Sequence, residues 1–281
     1  MAAVISRPPD DVPTVLVNSR HNSVDQFVTR IGQTTALNAD FDGTAHPGNQ
    51  WGAIRRLMTP QDVVAEQADL EAYLARQDHD NIEDIAFILR SVERMRGITA
   101  KRLHDLMPSL PPRPGAMELI DGFDPQNVAI ISYGTHDLIR GWLVHHRMKK
   151  DLSMATIFGL RLAWKQSPDG YVIDGCHAET VVTNGNKGYL RDLFCARRQI
   201  NPSNLLVLGD APTDVLMMDP QNVGVLIIPK VDPDPGRMRY RLAGLKALWP
   251  RVSAVILTGQ SGSLDPLIEL RQLRRPIAPG A

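Results

Sequence analysis

The residues with the clearest chemical potential are Asp40 and Asp42, in the run Asp40-Phe41-Asp42-Gly43-Thr44. Two positions apart in an extended chain, their carboxylates point to the same side, ~6.6 Å apart along the backbone. Two close carboxylates repel, so one pKa rises and that group can serve as an acid while the other stays ionised. Gly43 permits a tight turn and Thr44 can bond a nearby backbone group. A second acidic run, Gly209-Asp210-Ala211-Pro212-Thr213-Asp214, places two more carboxylates at i and i+4. A tight turn or first helical turn presents both on one face. Convergent carboxylates without Cys or His partners favour a hard cation, Mg²⁺, held by oxygen. Lys187, in Asn184-Gly185-Asn186-Lys187-Gly188, can supply the positive charge an anionic substrate needs beside so many acids. Ser132, followed by Tyr133-Gly134, offers a hydroxyl and open backbone N–H groups to phosphate oxygens. Each has a plainer reading when taken singly: a solvated turn for the first run, a surface charge for Lys187, a turn hydroxyl for Ser132.

All these groups lie where short apolar runs end. Thr34–Ala39 runs into Asp40, Val128–Ile131 into Ser132, and Leu205–Leu208 into Gly209-Asp210; Val223–Ile228 and Ala254–Leu257 are two further runs. Near-continuous apolar strands of this length, separated by helical periodicity, predict a parallel sheet buried on both faces. Ligands of such sheets bind beyond the carboxyl ends of the strands. Residues 45 to about 122 differ. Thr59-Pro60-Gln61-Asp62 is a helix start, with a hydroxyl cap, a proline in the first turn and an acid near the positive end. Ile85, Ile88, Leu89 and Val92 follow one helical face towards a stop at Gly97, and Thr99 caps another helix through Leu103 and Leu106. Pro108, Pro111, Pro112 and Pro114 then break the chain. The fold class expected is α/β: a Rossmann-like parallel sheet with helices on both faces and an inserted α-helical subdomain. The pattern divides the chain into an N-terminal extension over 1–33, a core over 34–48 and 123–260, a helical cap over 49–122 and a C-terminal tail over 261–281. Both ends show no strong pattern.

Composition narrows the class further. Lys+Arg and Asp+Glu are both 31, so the formal net charge is zero and nothing argues for nucleic acid or an anionic membrane as partner. The two cysteines, Cys176 and Cys195, are too few for a disulfide scaffold. No apolar run approaches the ~20 residues of a membrane span. The amino end carries Pro8, Pro9, Asp10 and Asp11 where a signal peptide needs a basic start and an apolar middle, so a cytoplasmic protein is expected. Cys176-His177, adjacent on an extended chain, point apart and do not read as a metal pair. His145-His146 with Arg147, Lys149 and Lys150 reads as a basic, solvated helix end. Arg90, Arg94 and Arg96 read as the outer face of a cap helix.

The four runs, in this order, resemble the motifs of the haloacid dehalogenase (HAD) superfamily of phosphohydrolases: Asp40-Phe41-Asp42-Gly43-Thr44 the first, Ser132 the second, Lys187 the third and Gly209-Asp210…Asp214 the fourth. The long stretch before Ser132 places the cap between motifs one and two, similar to phosphoserine phosphatases and pyrimidine 5′-nucleotidases. The shorter stretch between Ser132 and Lys187 has room only for a helix, a strand and a hairpin around Ser167-Pro168-Asp169-Gly170. The resemblance implies that Asp40 attacks phosphorus to form an aspartyl-phosphate, and that Asp42 protonates the leaving oxygen and then activates water. It implies Mg²⁺ held by Asp40, the Asp42 carbonyl and Asp210, with Asp214 direct, through water, or bonded to Lys187. Ser132, Tyr133 and Lys187 would bind phosphate, and the substrate would be a small phosphorylated metabolite: a nucleoside monophosphate or an amino-acid- or sugar-like compound. A phosphomutase on the same site, or a non-catalytic binding protein on the same fold, are the alternatives. Phosphoserine phosphatases place a Glu soon after the first motif, whereas Ala45–Trp51 here contains no acid. His46, Trp51 and Arg113 are the candidates for contact with the rest of the substrate.

Overall fold

The computed structural model describes residues 2–4, 13–19, 23–75, 80–146, 154–229, 248–258 and 262–273. Among the described residues, nine strands form one mixed sheet. In chain order they are β1 (Ala2–Val4), β2 (Thr14–Asn18), β3 (Ala36–Ala39), β4 (Val128–Thr135), β5 (Thr156–Ser167), β6 (Gly170–His177), β7 (Leu205–Gly209), β8 (Val223–Pro229) and β9 (Ala254–Thr258). Their spatial order is β1-β2-β9-β8-β7-β3-β4-β5-β6. From β9 to β5 every pairing is parallel, as the apolar runs predict; β2 on β9 and β6 on β5 are antiparallel. β3 sits between β4 and β7, with Asn38 level with Ala129 on one side and Val207 on the other. The expected first strand is thereby shortened to four residues, all buried.

Alternation along β3 builds two cores. Leu37, Ala39 and Phe41 face a layer that includes helix α1 (Val24–Gly32), α7 (His136–His145) and α9 (Asp265–Gln272) through Phe27, Trp142 and Leu267. Ala36 faces the opposite layer with Ala129, Ile131 and Val207, closed by Phe194 and Cys195 of α8 (Lys187–Arg198). Cys195 is buried there, as a core thiol would be.

The segments read as patternless ends carry elements. β2 is apolar on both faces, and Ser23 with Gln26 makes a reciprocal capping box that starts α1. Phe27 and Ile31, one turn apart, are then buried against the sheet and α9. Within 1–33, therefore, two elements belong to the core layer, and α9 does the same within 261–281. The tail from Arg274 and the basic residues from Arg147 to Lys150 lie outside the described residues.

The inserted block contains α2 (Gln50–Arg55), α3 (Pro60–Leu74), α4 (Asn81–Glu93), α5 (Ala100–His104) and α6 (Ala116–Asp121). Thr59 and Thr99 cap α3 and α5 by accepting from Asp62 N–H and Arg102 N–H. Arg94 bonds Glu66 at 2.7 Å and Asp69 at 2.5 Å, and Arg90 bonds Asp69 at 3.2 Å, so α4 is tied to α3. Ile88, Val92, Met95 and Leu103 join the same apolar cluster as Phe41 and Trp142. The turn after α4 also donates Gly97 N–H to Ile173 and accepts from it at Ile98, pairing the block with the free edge of β6. At its far end, α6 packs on α9, and Arg271 bonds the Gly122 carbonyl. β5 and β6 form the hairpin expected around Ser167–Gly170, with Gly170 at φ 103°. Among the described residues, no helix is long and apolar enough to cross a membrane.

Candidate active site

The carboxyl ends of β3, β4 and β7 bring the first, second and fourth runs together, and the start of α8 adds the third. Asp40 N–H is held by the Leu208 carbonyl at 3.0 Å, so the first acid extends the β3–β7 ladder by one residue. Lys187 reaches in from the first position of α8 and is 1% exposed. Its Nζ donates to Asp40 Oδ1 at 3.2 Å and to Asp214 Oδ1 at 2.5 Å. The other Asp214 oxygen accepts Asp210 N–H and Ala211 N–H, both at 2.9 Å, which folds the fourth run around it. Asp214 is thus bonded to Lys187 while its carboxylate also belongs to the acidic cluster.

Oxygens of Asp40, Asp210 and Asp214 all lie within 4.8 Å of one another. Gly43, at φ 78°, lets the first loop run against Asp210, since a Cβ there would stand 2.2 Å from Asp210 Oδ2. Thr44 Oγ1 donates to Asp210 Oδ1 at 3.4 Å. The donor set is hard, anionic and buried, with one ammonium among three carboxylates. It fits a small divalent cation. The protonation energetics agree. Burial raises Asp40 well above the ordinary carboxylate range, against the pull of Lys187. Burial by itself would depress Lys187, but Asp214 and Asp40 hold its ammonium above the usual range.

Asp42 points elsewhere. Its Oδ1 accepts Gln50 N–H at 2.8 Å and its Oδ2 accepts Gln50 Nε2–H at 3.3 Å. Desolvation pushes it up to about 7, in part offset by the Gln50 hydrogen bonds. The first motif thus holds two acids in different surroundings, one in the ionic cluster and one gripped by an amide.

Ser132 is buried within β4, where the pairing with β5 shifts register between Ile131 and Thr135, its Oγ accepting Gly134 N–H at 3.2 Å. Tyr133 lies with its ring 4.9 Å from Lys187 Nζ and donates its hydroxyl to Asn184 Oδ1. Burial, with the charge of Asp84 next, raises that phenol above its usual range. Asp84, on α4, accepts Asn184 N–H at 2.7 Å and Tyr73 O–H at 2.6 Å, and Asn81 Oδ1 accepts Thr183 O–H at 2.7 Å. The inserted block is therefore bonded directly to the loop that delivers Lys187.

The three substrate-contact candidates are engaged with the protein itself. Arg113 Nε donates to Thr44 O at 2.8 Å, Nη2 to Gly43 O at 2.5 Å and Nη1 to Gly262 O at 2.8 Å. It braces the backbone of the first loop. His46 Nδ1 lies 2.8 Å from Pro111 O, and burial lowers its pKa, favouring the neutral ring. Trp51 N–H is used by the Asn49 cap of α2, and its ring packs on the apolar core. His46 and Arg113 thereby tie the chain entering the inserted block to the chain leaving it. Arg90 and Arg96 are exposed and pair with Asp69 and Glu93, whereas Arg94, expected on the outer face, is turned in between α4 and α3 to bond Glu66 and Asp69.

Gln50, Asp84 and Asn184 are the site-proximal residues that sequence patterns did not single out. A neutral amide has no signature of its own, and Asp84 reads as an ordinary first-turn acid of α4.

No family model matches the chain, and no curated protein does. Solved structures do. A HAD-family hydrolase from Salmonella enterica serovar Typhi is 19% identical, with TM-score 0.55 over 71% of this chain and 64% of its own, so the chain spans a little under two thirds of that protein. Cytosolic 5′-nucleotidase IIIB bound to cytidine is 14% identical, with TM-score 0.62 over 89% of this chain and 88% of that one. A phosphoserine phosphatase in the form of a phospho-aspartyl intermediate analogue is 17% identical, with TM-score 0.55 over 84% and 98%. The chain has the α/β fold of the HAD-family hydrolases.

Proposed function

We propose that the protein is a Mg²⁺-dependent phosphomonoesterase of the cytoplasm, acting on a small phosphorylated metabolite through an aspartyl-phosphate. The observation that carries this reading is Lys187, buried between Asp40 and Asp214 at the edge of the three-carboxylate cluster. A structural ion pair needs one partner, whereas this arrangement keeps excess negative charge in a buried place. Asp40, Asp210 and the Asp42 carbonyl would hold the ion, with Asp214 orienting Lys187 and the 210–211 backbone. When bound, Mg²⁺ would neutralise charge between nucleophile and phosphoryl group.

In this reading Asp40 attacks phosphorus in line with the leaving oxygen. Asp42 donates its proton to that oxygen and later takes one from the water that cleaves the acyl phosphate. Lys187 offsets negative charge on the transferring group, and Ser132 and the N–H groups after β4 receive its oxygens. Tyr133 serves as the wall under Lys187. Residues 49–122 act as the cap, bonded to the core through Asp84 and Asn81, and exclude bulk water. The absence of acid in 45–51 disfavours a substrate amine there, and with the nucleotidase likeness this puts nucleoside monophosphates ahead of phosphoserine.

The test is phosphate release from an aryl phosphate and from a panel of phosphorylated metabolites. Activity should need Mg²⁺ and stop with EDTA, and Asp40→Asn should abolish it, on the order of 10⁴-fold or more. Equal turnover with and without metal, or a fully active Asp40→Asn protein, would sink the assignment.

A further inference from the structure

We propose that Gln50 is the positioning residue for Asp42, and that it locks the acid of the first loop to the end of β4. The inference deepens the proposed function, since it rests on Asp42 as the group that protonates the leaving oxygen.

Gln50 is fully buried, at 0% exposure. It supplies a hydrogen bond to each oxygen of the Asp42 carboxyl, one from its backbone N–H and one from its side-chain amide. Two donors on two oxygens fix both the position and the rotation of a carboxyl group, which a single donor leaves free to turn. The amide is itself held from behind. Its Oε1 accepts Thr135 N–H at 2.9 Å and lies 3.4 Å from the Thr135 hydroxyl. Room for it comes from Gly134, because a Cβ there would stand 1.6 Å from Gln50 Nε2. The amide therefore bridges the first loop and the last residue of β4, two segments that the sheet alone sets side by side but does not join.

The bridge uses an amide where most charged alternatives would fail. Thr135 N–H needs an acceptor and Asp42 needs a donor, and a carboxamide is the side chain that offers one of each at the same end. Glu would set a second carboxylate against Asp42, and Lys or Arg would have no acceptor for Thr135. Since Gln50 is also the first residue of α2, the acid is registered against the first helix of the insertion.

The consequence is chemical. In the first half-reaction the P–O bond to the leaving group breaks while Asp40 bonds to phosphorus, and a proton passes from Asp42 to the departing oxygen. An acid fixed in place matters most when that oxygen is basic, as in an alkyl phosphate, and least for p-nitrophenolate. Removing the side-chain bridge should therefore steepen the dependence of kcat/KM on leaving-group basicity.

The experiment compares wild type with Gln50→Met, similar in size but lacking the amide, and Gln50→Glu, which keeps the acceptor. kcat/KM is measured with Mg²⁺ on p-nitrophenyl, phenyl and alkyl phosphates. Both variants should lose roughly 10- to 100-fold more on the alkyl ester than on the p-nitrophenyl ester, Gln50→Glu the more severely. An equal loss on all esters, or none, would overturn the positioning role. Crystal structures of wild type and Gln50→Met, both metal-free, supply a readout that does not depend on turnover. The Asp42 carboxyl should be rotated or split between conformers in the variant, and an unchanged carboxyl would refute the proposal even if the wild type hydrolysed no phosphate ester. That last result would count against the phosphatase reading alone.

Discussion

The floor of the site and the inserted helices hold their carboxylates in opposite ways. On α3, Asp69 is bonded by Arg94 and Arg90, and the Arg94 hydrogen bond holds it below the ordinary carboxylate range. Glu66 beside it accepts from Arg94 and Ser91. At the strand ends, Asp40 and Asp42 are held above that range, because burial outweighs one lysine and one amide. The same side-chain type is a neutralised strut in one place and a strained, proton-hungry group in the other. Packing that leaves acids undercompensated is costly, and it marks the region built to receive something positive.

Removing the Lys187 ammonium should break this contrast most severely. Lys187→Met leaves Asp40 and Asp214 buried without their ammonium, and should destabilise the metal-free protein by about 3–5 kcal/mol at neutral pH. Added Mg²⁺ should restore part of the loss, which denaturant melts with and without the ion will measure. Arg94→Met makes the matching change in the insertion. Glu66 stays buried with only Ser91 as donor, while Asp69 faces solvent and keeps Arg90, so a smaller loss of about 1–3 kcal/mol is expected. Hydrolysis of a small aryl phosphate should fall far less than stability. If Arg94→Met costs more than Lys187→Met, the two regions have been assigned the wrong way round.

Proton linkage sharpens the comparison further. Asp42, raised from 3.8 to about 7, binds more protons folded than unfolded. Its favourable contribution is complete below pH ~4 and is lost as pH rises towards 7, so metal-free stability should fall over that window. Asp69, depressed from 3.8, acts in the opposite sense, its contribution present above pH ~4 and lost as pH falls further. Asp40, also raised, contributes to the same decline, so Asp42→Asn should lessen it between pH 4 and 7 without removing it, and Asp69→Asn should leave it intact. Melting temperatures across a buffer series will show whether Asp42 carries its part of the slope.

Much of the site is legible along the chain because each motif is local. Asp40, Ser132, Asp210 and Asp214 follow apolar runs that can only be buried strands, and a parallel sheet collects such ends on one side. The helix starts at Thr59 and Thr99 are equally local. Part of what escaped does carry a local signature, such as the Ser23–Gln26 box that opens α1, and the rest depends on distant partners. β2 and α1 follow a proline- and acid-rich start, and their burial depends on β9 and α9, far away in sequence. Arg113 sits among prolines, where a substrate contact is as consistent with the pattern as a brace on Gly43 and Thr44. Gln50 looks like any helix-opening polar residue until Thr135 is brought beside it.

By itself, the sequence determined the α/β class, the order of the four polar stations, the helical insertion and the hairpin, because periodicity, capping and strand-end chemistry act within a few residues. Only the tertiary structure decided which groups share a charge environment. Lys187 meets Asp40 across 147 positions, Asp84 meets Asn184 across 100 and Gln50 meets Thr135 across 85. Such contacts depend on crossover geometry and on which side chains the packing excludes from water, and neither is encoded in any short stretch of chain.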